Sequence, residues 1–161
     1  MQTQEVLQTI EILDRLENLE ELVGNLYAIC AVRWKTNGLY WEATASAEYG
    51  HAKVIAALKE LLRQFPASFH LTPGYSLKHV LHQLARVQEI SEQIADGSYS
   101  EEDALLVAFD IEDFILEKGL SKLVTSDLED FHHYQNKIVS ETSNHRAMFK
   151  VMIAEVDIDH T

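Results

Sequence analysis

The sequence holds a single cysteine, Cys30. That excludes an intrachain disulfide, a zinc ribbon and an iron site built from four thiolates. Its neighbours Ile29, Ala31 and Val32 are apolar, so the thiol is expected inside the core. Proline and glycine are also scarce, at 2 and 6 residues. So few breakers leave long uninterrupted stretches, which read as helices rather than as many short strands. Basic residues are outnumbered, 13 against 26 acidic ones, for a formal net charge of −13. A field of that sign repels nucleic acid and anionic membranes. No apolar run approaches the length of a membrane span. The stretch Met1 to Leu13 carries Glu5 and Glu11 and no basic segment ahead of an apolar run. No signal peptide is therefore expected, and a cytoplasmic protein is the expectation.

What the chain does have is helical periodicity. At 161 residues and 47% hydrophobic it suits one ordered domain, 1–161, with a core of its own. From about Thr3 to Trp34, Val6, Ile10, Leu13, Leu16, Leu19, Val23, Leu26 and Cys30 recur every three or four positions, which predicts one long amphipathic helix. Asn37-Gly38 is a stop signal. A second helix follows from about Leu39 to Gln64, with Val54, Leu58, Leu61 and Leu62 on one stripe. Long helices joined by a short turn pack antiparallel. Phe65 to Tyr75 contains Pro66, Pro73 and Gly74 and is expected to be irregular. Ser76 is a candidate N-cap for a third helix running to about Ala95, which Asp96-Gly97 closes. Ser100 with Asp103 resembles a capping box and opens a helix through about Val124. Ser126 with Glu129 repeats the pattern ahead of a last helix from about Asp127 to Val156.

Polar residues of one chemical kind sit inside these stripes. Glu48 and His51 are three apart, one turn along a single helix face, so both can reach one cation. In the first helix, Glu21 is followed one turn later by Gly24 and then by Tyr27. A small residue after an acid lets a neighbouring helix approach while the carboxylate points inward. The fourth helix repeats this logic in Ala108-Phe109-x-x-Glu112, and the last offers Glu141-Thr142-x-x-His145. Glu129-x-x-His132 competes within that helix, but it lies too close to the preceding turn to face Glu112. Glu129 is better explained as a capping-box acid. His79 and His82 share a face with no acid beside them and read as surface imidazoles; His132 and His133 point in different directions and read the same way. Tyr27 reads as a core aromatic.

The order Glu, Glu-x-x-His, Glu, x-x-x-His resembles the rubrerythrin-like branch of the ferritin-like superfamily, over roughly residues 5 to 156. The resemblance implies an all-α, ferritin-like four-helix bundle of two antiparallel hairpins with an extra helix in the connection. It also implies a non-haem di-iron carboxylate centre, with manganese or zinc as other cations for the same donors. Carried across by motif, the metal ligands are Glu21, Glu48, His51, Glu112 and His145. Thr142 stands where the family has Glu, and a hydroxyl is a poor replacement for a bridging carboxylate. The second iron position is therefore short of a ligand. Glu141 points about 100° away from the Thr142 direction and is not expected to substitute; Glu117 would help only if its helix rotated. The family implies an oxidoreductase acting on dioxygen, peroxide or ferrous iron, a homodimer, and a separate electron-donor protein. The alternative is a ferritin-like scaffold that has lost catalysis and serves as a binding or assembly module.

Overall fold

Long stretches with few breakers become long helices. The computed structural model describes residues 3–159, so Met1, Gln2, His160 and Thr161 of the sequence lie outside it. Helix α1 spans Thr3–Arg33 and α2 spans Gly38–Gln64, joined through Trp34 and a 3-10 turn at Lys35–Asn37. After a second 3-10 turn at Pro66–Ser68 comes a short strand, β1 (Phe69–Leu71), and then α3 (Lys78–Ala95). Helix α4 is Glu101–Lys118, α5 is the single turn Leu120–Leu123, β2 is Val124–Ser126, and α6 is Glu129–Asp159. The protein is thus almost wholly helical, with one two-stranded antiparallel sheet in which Phe69 faces Ser126 and Leu71 faces Val124. Among the described residues, no helix is long and apolar enough to cross a membrane.

Helix α1 packs chiefly on α2 and α3, and α4 packs on α6. Two apolar clusters fill the interior. One surrounds Tyr27, Trp41 and Phe149, with Leu19, Val23, Ala104, Leu105 and Ala108 beside them. The other gathers Leu13, Leu16, Ile55, Leu58, Phe69 and Phe131. Along α1 the second cluster ends at Leu16 and the first begins at Leu19. Along α2 the gap falls between Ala45 and Ile55, and along α6 between Ile138 and Phe149. Glu20, Glu48, His51, Thr142 and His145 occupy those gaps, so a polar layer is sandwiched between two apolar ones. Cys30 is buried and free, as its apolar neighbours suggest.

Local chemistry explains most boundaries. Ser100 and Asp103 form the full capping box at the start of α4, which satisfies two backbone N–H groups that the first turn leaves open. At the end of α3, Gly97 adopts φ +90°. Its N–H donates to the Ile94 carbonyl, and Ser98 N–H donates to that of Gln93, the paired closure that a left-handed glycine permits. The predicted box at Ser126 is not formed: its hydroxyl accepts from Leu128 N–H at 3.1 Å, one residue short of Glu129. Ser76 likewise accepts from Lys78 N–H rather than capping α3 directly.

Two further expectations fail. The fourth helix does not continue to Val124 but ends at Lys118, because Gly119 turns the chain sharply and Leu120–Val124 refolds into a single turn and a strand. The stretch after Phe65 is not wholly irregular, since Phe69–Leu71 finds that same strand as its partner. A three-residue strand carries too little periodicity to be read from sequence, and it exists only because a distant segment offers a matching edge.

Gly119 is held to glycine by contact: a Cβ there would lie 2.3 Å from the Ile115 carbonyl oxygen. Gly119→Ala is expected to lower stability by about 1–3 kcal/mol, measured by urea denaturation. A neutral result would mean that the α4–α5 corner relaxes freely.

Candidate metal centre

Four helices each send polar side chains into the layer between the apolar clusters. Glu48 and His51, one turn apart on α2, are both fully buried. Glu112 of α4 is also fully buried. His145 of α6 reaches in beside them, its Nδ1 3.1 Å from Glu48 Oε1 and 3.7 Å from Glu112 Oε1. Glu48, Glu112 and His145 each bring one donor atom within 4.8 Å of the others.

The contribution from α1 differs from the expectation. Glu21 is exposed and lines an outer groove with Glu17, Asn25 and Tyr49; it takes no part in the centre. Glu20, only 4% exposed, points inward instead. Its carboxylate lies 3.7 Å from His51 Nδ1, and Glu20, Glu48 and His51 form a second group of donors within 4.8 Å. A shift of one residue turns a side chain by about 100°. Glu20 shares its face with Leu16, Val23, Gly24 and Tyr27, all at helical spacing and all buried, whereas Glu21 follows the solvent face. Gly24 is the small residue that admits the neighbouring helix: a Cβ there would sit 2.7 Å from the Tyr49 ring. It serves the acid four residues before it rather than three.

Glu48 belongs to both groups. Its Oε1 faces His145 and its Oε2 lies 3.5 Å from His51 Nδ1. The two imidazoles flank it with ring centres 6.2 Å apart. Tyr27, packed against Trp41 and Phe149, is more than a core aromatic, because its hydroxyl donates to Glu112 Oε1 at 2.8 Å. Glu141 does not substitute for a ligand at Thr142 but has another role. Although it does not take the direction of Thr142, its Oε2 lies 2.6 Å from His51 Nε2, and its other oxygen accepts from Lys137 at 2.8 Å. The imidazole is thereby fixed with Nδ1 toward Glu20 and Glu48, as carboxylate partners orient metal-ligating histidines. Thr142 is fully buried. Glu117 is exposed, as are Glu129 and His132 of the competing pair and His79, His82 and His133.

Glu20 Oε2, Glu48 Oε2, Glu112 Oε2 and His51 Nδ1 are buried and make no hydrogen bond within the chain. Buried polar atoms are ordinarily paired, and these converge from three helices. Burial pushes the Glu20 carboxyl well above its ordinary range, and the neighbouring Glu48 adds to the effect. Burial likewise raises Glu112, against the opposing pull of His145 and Tyr27. For the imidazoles burial acts to lower the pKa, but the carboxylates outweigh it: Glu20 and Glu48 push His51 up to about 11, and Glu112 and Glu48 push His145 up to about 9. Carboxyls raised by burial, beside imidazoles that hold their protons more tightly because of those carboxylates, mark a place where positive charge is favoured. A divalent cation would supply it by displacing protons.

No protein-family model, curated protein or solved structure matches this chain.

In the metal-free protein Glu20, Glu112, His51 and His145 act in one direction; Glu141, which is lowered, acts in the other and only at acid pH. Each of the first four has a folded pKa above its unfolded value, so the folded state binds more protons. The stabilisation from His145 and His51 is complete below about pH 6.5 and fades as pH rises through about 9 and then about 11. Glu20 and Glu112 lose theirs with rising pH as well, from the ordinary carboxylate range upward. Chelator-treated protein should therefore be less stable at pH 9.5 than at pH 6.5, by on the order of 2 kcal/mol. Urea denaturation at the two pH values measures this, and equal stability would contradict the buried pairing.

Proposed function

We propose that this protein is a metal-binding, rubrerythrin-like protein of ferritin-like topology. Its centre would hold two iron ions and support oxidoreductase chemistry on dioxygen, peroxide or ferrous iron. The observation that carries the reading is the sharing of Glu48 between two three-donor groups, Glu20–Glu48–His51 and Glu48–Glu112–His145. Carboxylates with imidazole, drawn from facing helices, are the donor set of two-metal sites in helix bundles. The helix order supports the topology: two long hairpins, α1–α2 and α4–α6, with α3 in the connection between them.

The fit to a cation rests on the unpartnered oxygens of Glu20, Glu48 and Glu112 and on His51 Nδ1. Glu20 and His51 would hold one ion, Glu112 and His145 the other, and Glu48 both. When bound, iron supplies Lewis acidity and one-electron redox capacity. The chain's own residues do the rest. Tyr27 fixes one oxygen of Glu112, Glu141 orients His51, and the apolar clusters on either side exclude water. The same donors accept manganese or zinc. Electrons for turnover would come from a separate donor protein, as Cys30 is the only thiol and is buried. Assembly as a homodimer belongs to the same proposal.

Thr142 favours a second reading. A neutral residue occupies a fully buried place on α6 beside the centre, as in a ferritin-like scaffold that has lost catalysis and serves as a binding or assembly module.

Metal analysis of protein purified without chelator tests the first reading. Wild type should carry about two ions per chain, Glu48→Ala should lose both, and His51→Ala should retain about one. Wild-type protein with no more iron, manganese or zinc than Glu48→Ala would refute it. Thr142→Glu separates the two readings: a gain of metal over wild type indicates a half-lost centre, whereas no metal in either form favours the scaffold.

A further inference from the structure

A void with room for about one water molecule borders the centre, walled mainly by apolar side chains, including Leu16, Leu19, Ile55 and Ile138. Glu20 and Thr142 line it too, and both are buried. Thr142 is the anomaly. Threonine inside a helix commonly returns its hydroxyl to the carbonyl one turn back. Thr9 does so to Glu5 at 2.7 Å, and Thr44 to Tyr40 at 2.8 Å. The Thr142 hydroxyl, fully buried, makes no hydrogen bond at all. A buried donor left open is costly, and here it borders a cavity that also touches a metal-donor carboxylate.

Charge points the same way. Glu20, Glu48 and Glu112, each nearly or fully buried, set against two divalent cations leave one positive charge uncompensated in a buried setting, where an unpaired charge is strongly disfavoured. Glu141 does not supply the balance, because it is engaged with His51 Nε2 and Lys137 on the outer side. We infer that Thr142 and the void beside it form the seat of a compact monoanion the size of hydroxide or fluoride. The Thr142 hydroxyl donates a hydrogen bond to it, and the anion completes the charge of the centre. This inference rests on the two-cation reading above. The size of the void adds a selectivity: a linear three-atom anion such as azide is too long for it, whereas a shortened side chain at position 142 makes room.

Zinc-loaded protein keeps redox chemistry out of the test, and fluoride is the probe, followed by ¹⁹F NMR and calorimetry with zinc content measured on every sample. Wild type should bind one fluoride per chain, and zinc-free protein none. Thr142→Val, which keeps the shape and removes the donor, should weaken fluoride at least tenfold at unchanged zinc content. Thr142→Ser should restore it, which guards against a packing defect in the valine variant. Thr142→Ala should admit azide that wild type refuses. If zinc is held but fluoride is not, or if Thr142→Val binds fluoride as wild type does, the anion seat is overturned while the metal centre stands. If no zinc is held at all, the metal reading itself fails and the seat falls with it.

Discussion

Glu48 lies between the imidazoles of His51 and His145, with the carboxylates of Glu20 and Glu112 close on either side. The cost of keeping those like charges together out of water governs the centre of the molecule. Burial raises the carboxyls of Glu20 and Glu112 above their ordinary range. The carboxylates in turn hold the His51 and His145 imidazoles protonated, which creates a place with a standing demand for positive charge. Such a cluster survives in a fold only if the surrounding packing fixes it. Here each donor helix carries apolar residues above and below its polar position, so the cluster cannot escape to solvent without tearing open one core or the other.

The layer is also asymmetric. On the α4 side the donors are tied to the aromatic core, because Tyr27 reaches from the Trp41–Phe149 stack to Glu112. On the α6 side, His51 is tied outward through Glu141 to Lys137, and Glu141 is about a third exposed. His51 itself is fully buried and meets solvent only through the Glu141 carboxylate, whereas 14% of the His145 side chain is exposed directly. The two halves of the layer therefore reach solvent by different routes.

Much of this architecture is legible in the amino-acid sequence. The five long helices, the antiparallel hairpins, the box at Ser100 and the closure at Gly97 follow from periodicity and from residues with one dominant role at helix ends. Glu48, His51, Glu112 and His145 lie on apolar stripes and fall in the centre. Glu21 rather than Glu20 stands out from sequence because three neighbouring glutamates, at positions 17, 20 and 21, all sit near the stripe. The deciding signal is nonetheless present: Leu13, Leu16, Glu20, Val23, Tyr27 and Cys30 step by three and four without a gap, whereas Glu21 aligns with Asn25 and Glu17. Glu141 is hidden for another reason. Its role is set by the distance between α6 and α2, and helix-wheel angles on α6 alone do not contain it. The same limit hides the strands, whose existence depends on two connections meeting in space.

That meeting has a mechanical consequence. The ladder joining Phe69–Leu71 to Val124–Ser126 stitches the connection after α2 to the connection before α6, clasping the two halves of the molecule at one end. Slipping such a ladder by one residue moves the partners about 3.3 Å and turns every side chain to the opposite face, which would pull Phe69 off its edge-on seat against Phe131. Slipping by two preserves the faces but shifts the halves by about 7 Å, farther than the 3.1 Å contact of Glu48 with His145 can stretch. Sliding of α6 along α2 is thus quantised into steps too large for the chemistry to follow, and Glu48 either meets His145 at its proper height or does not meet it at all.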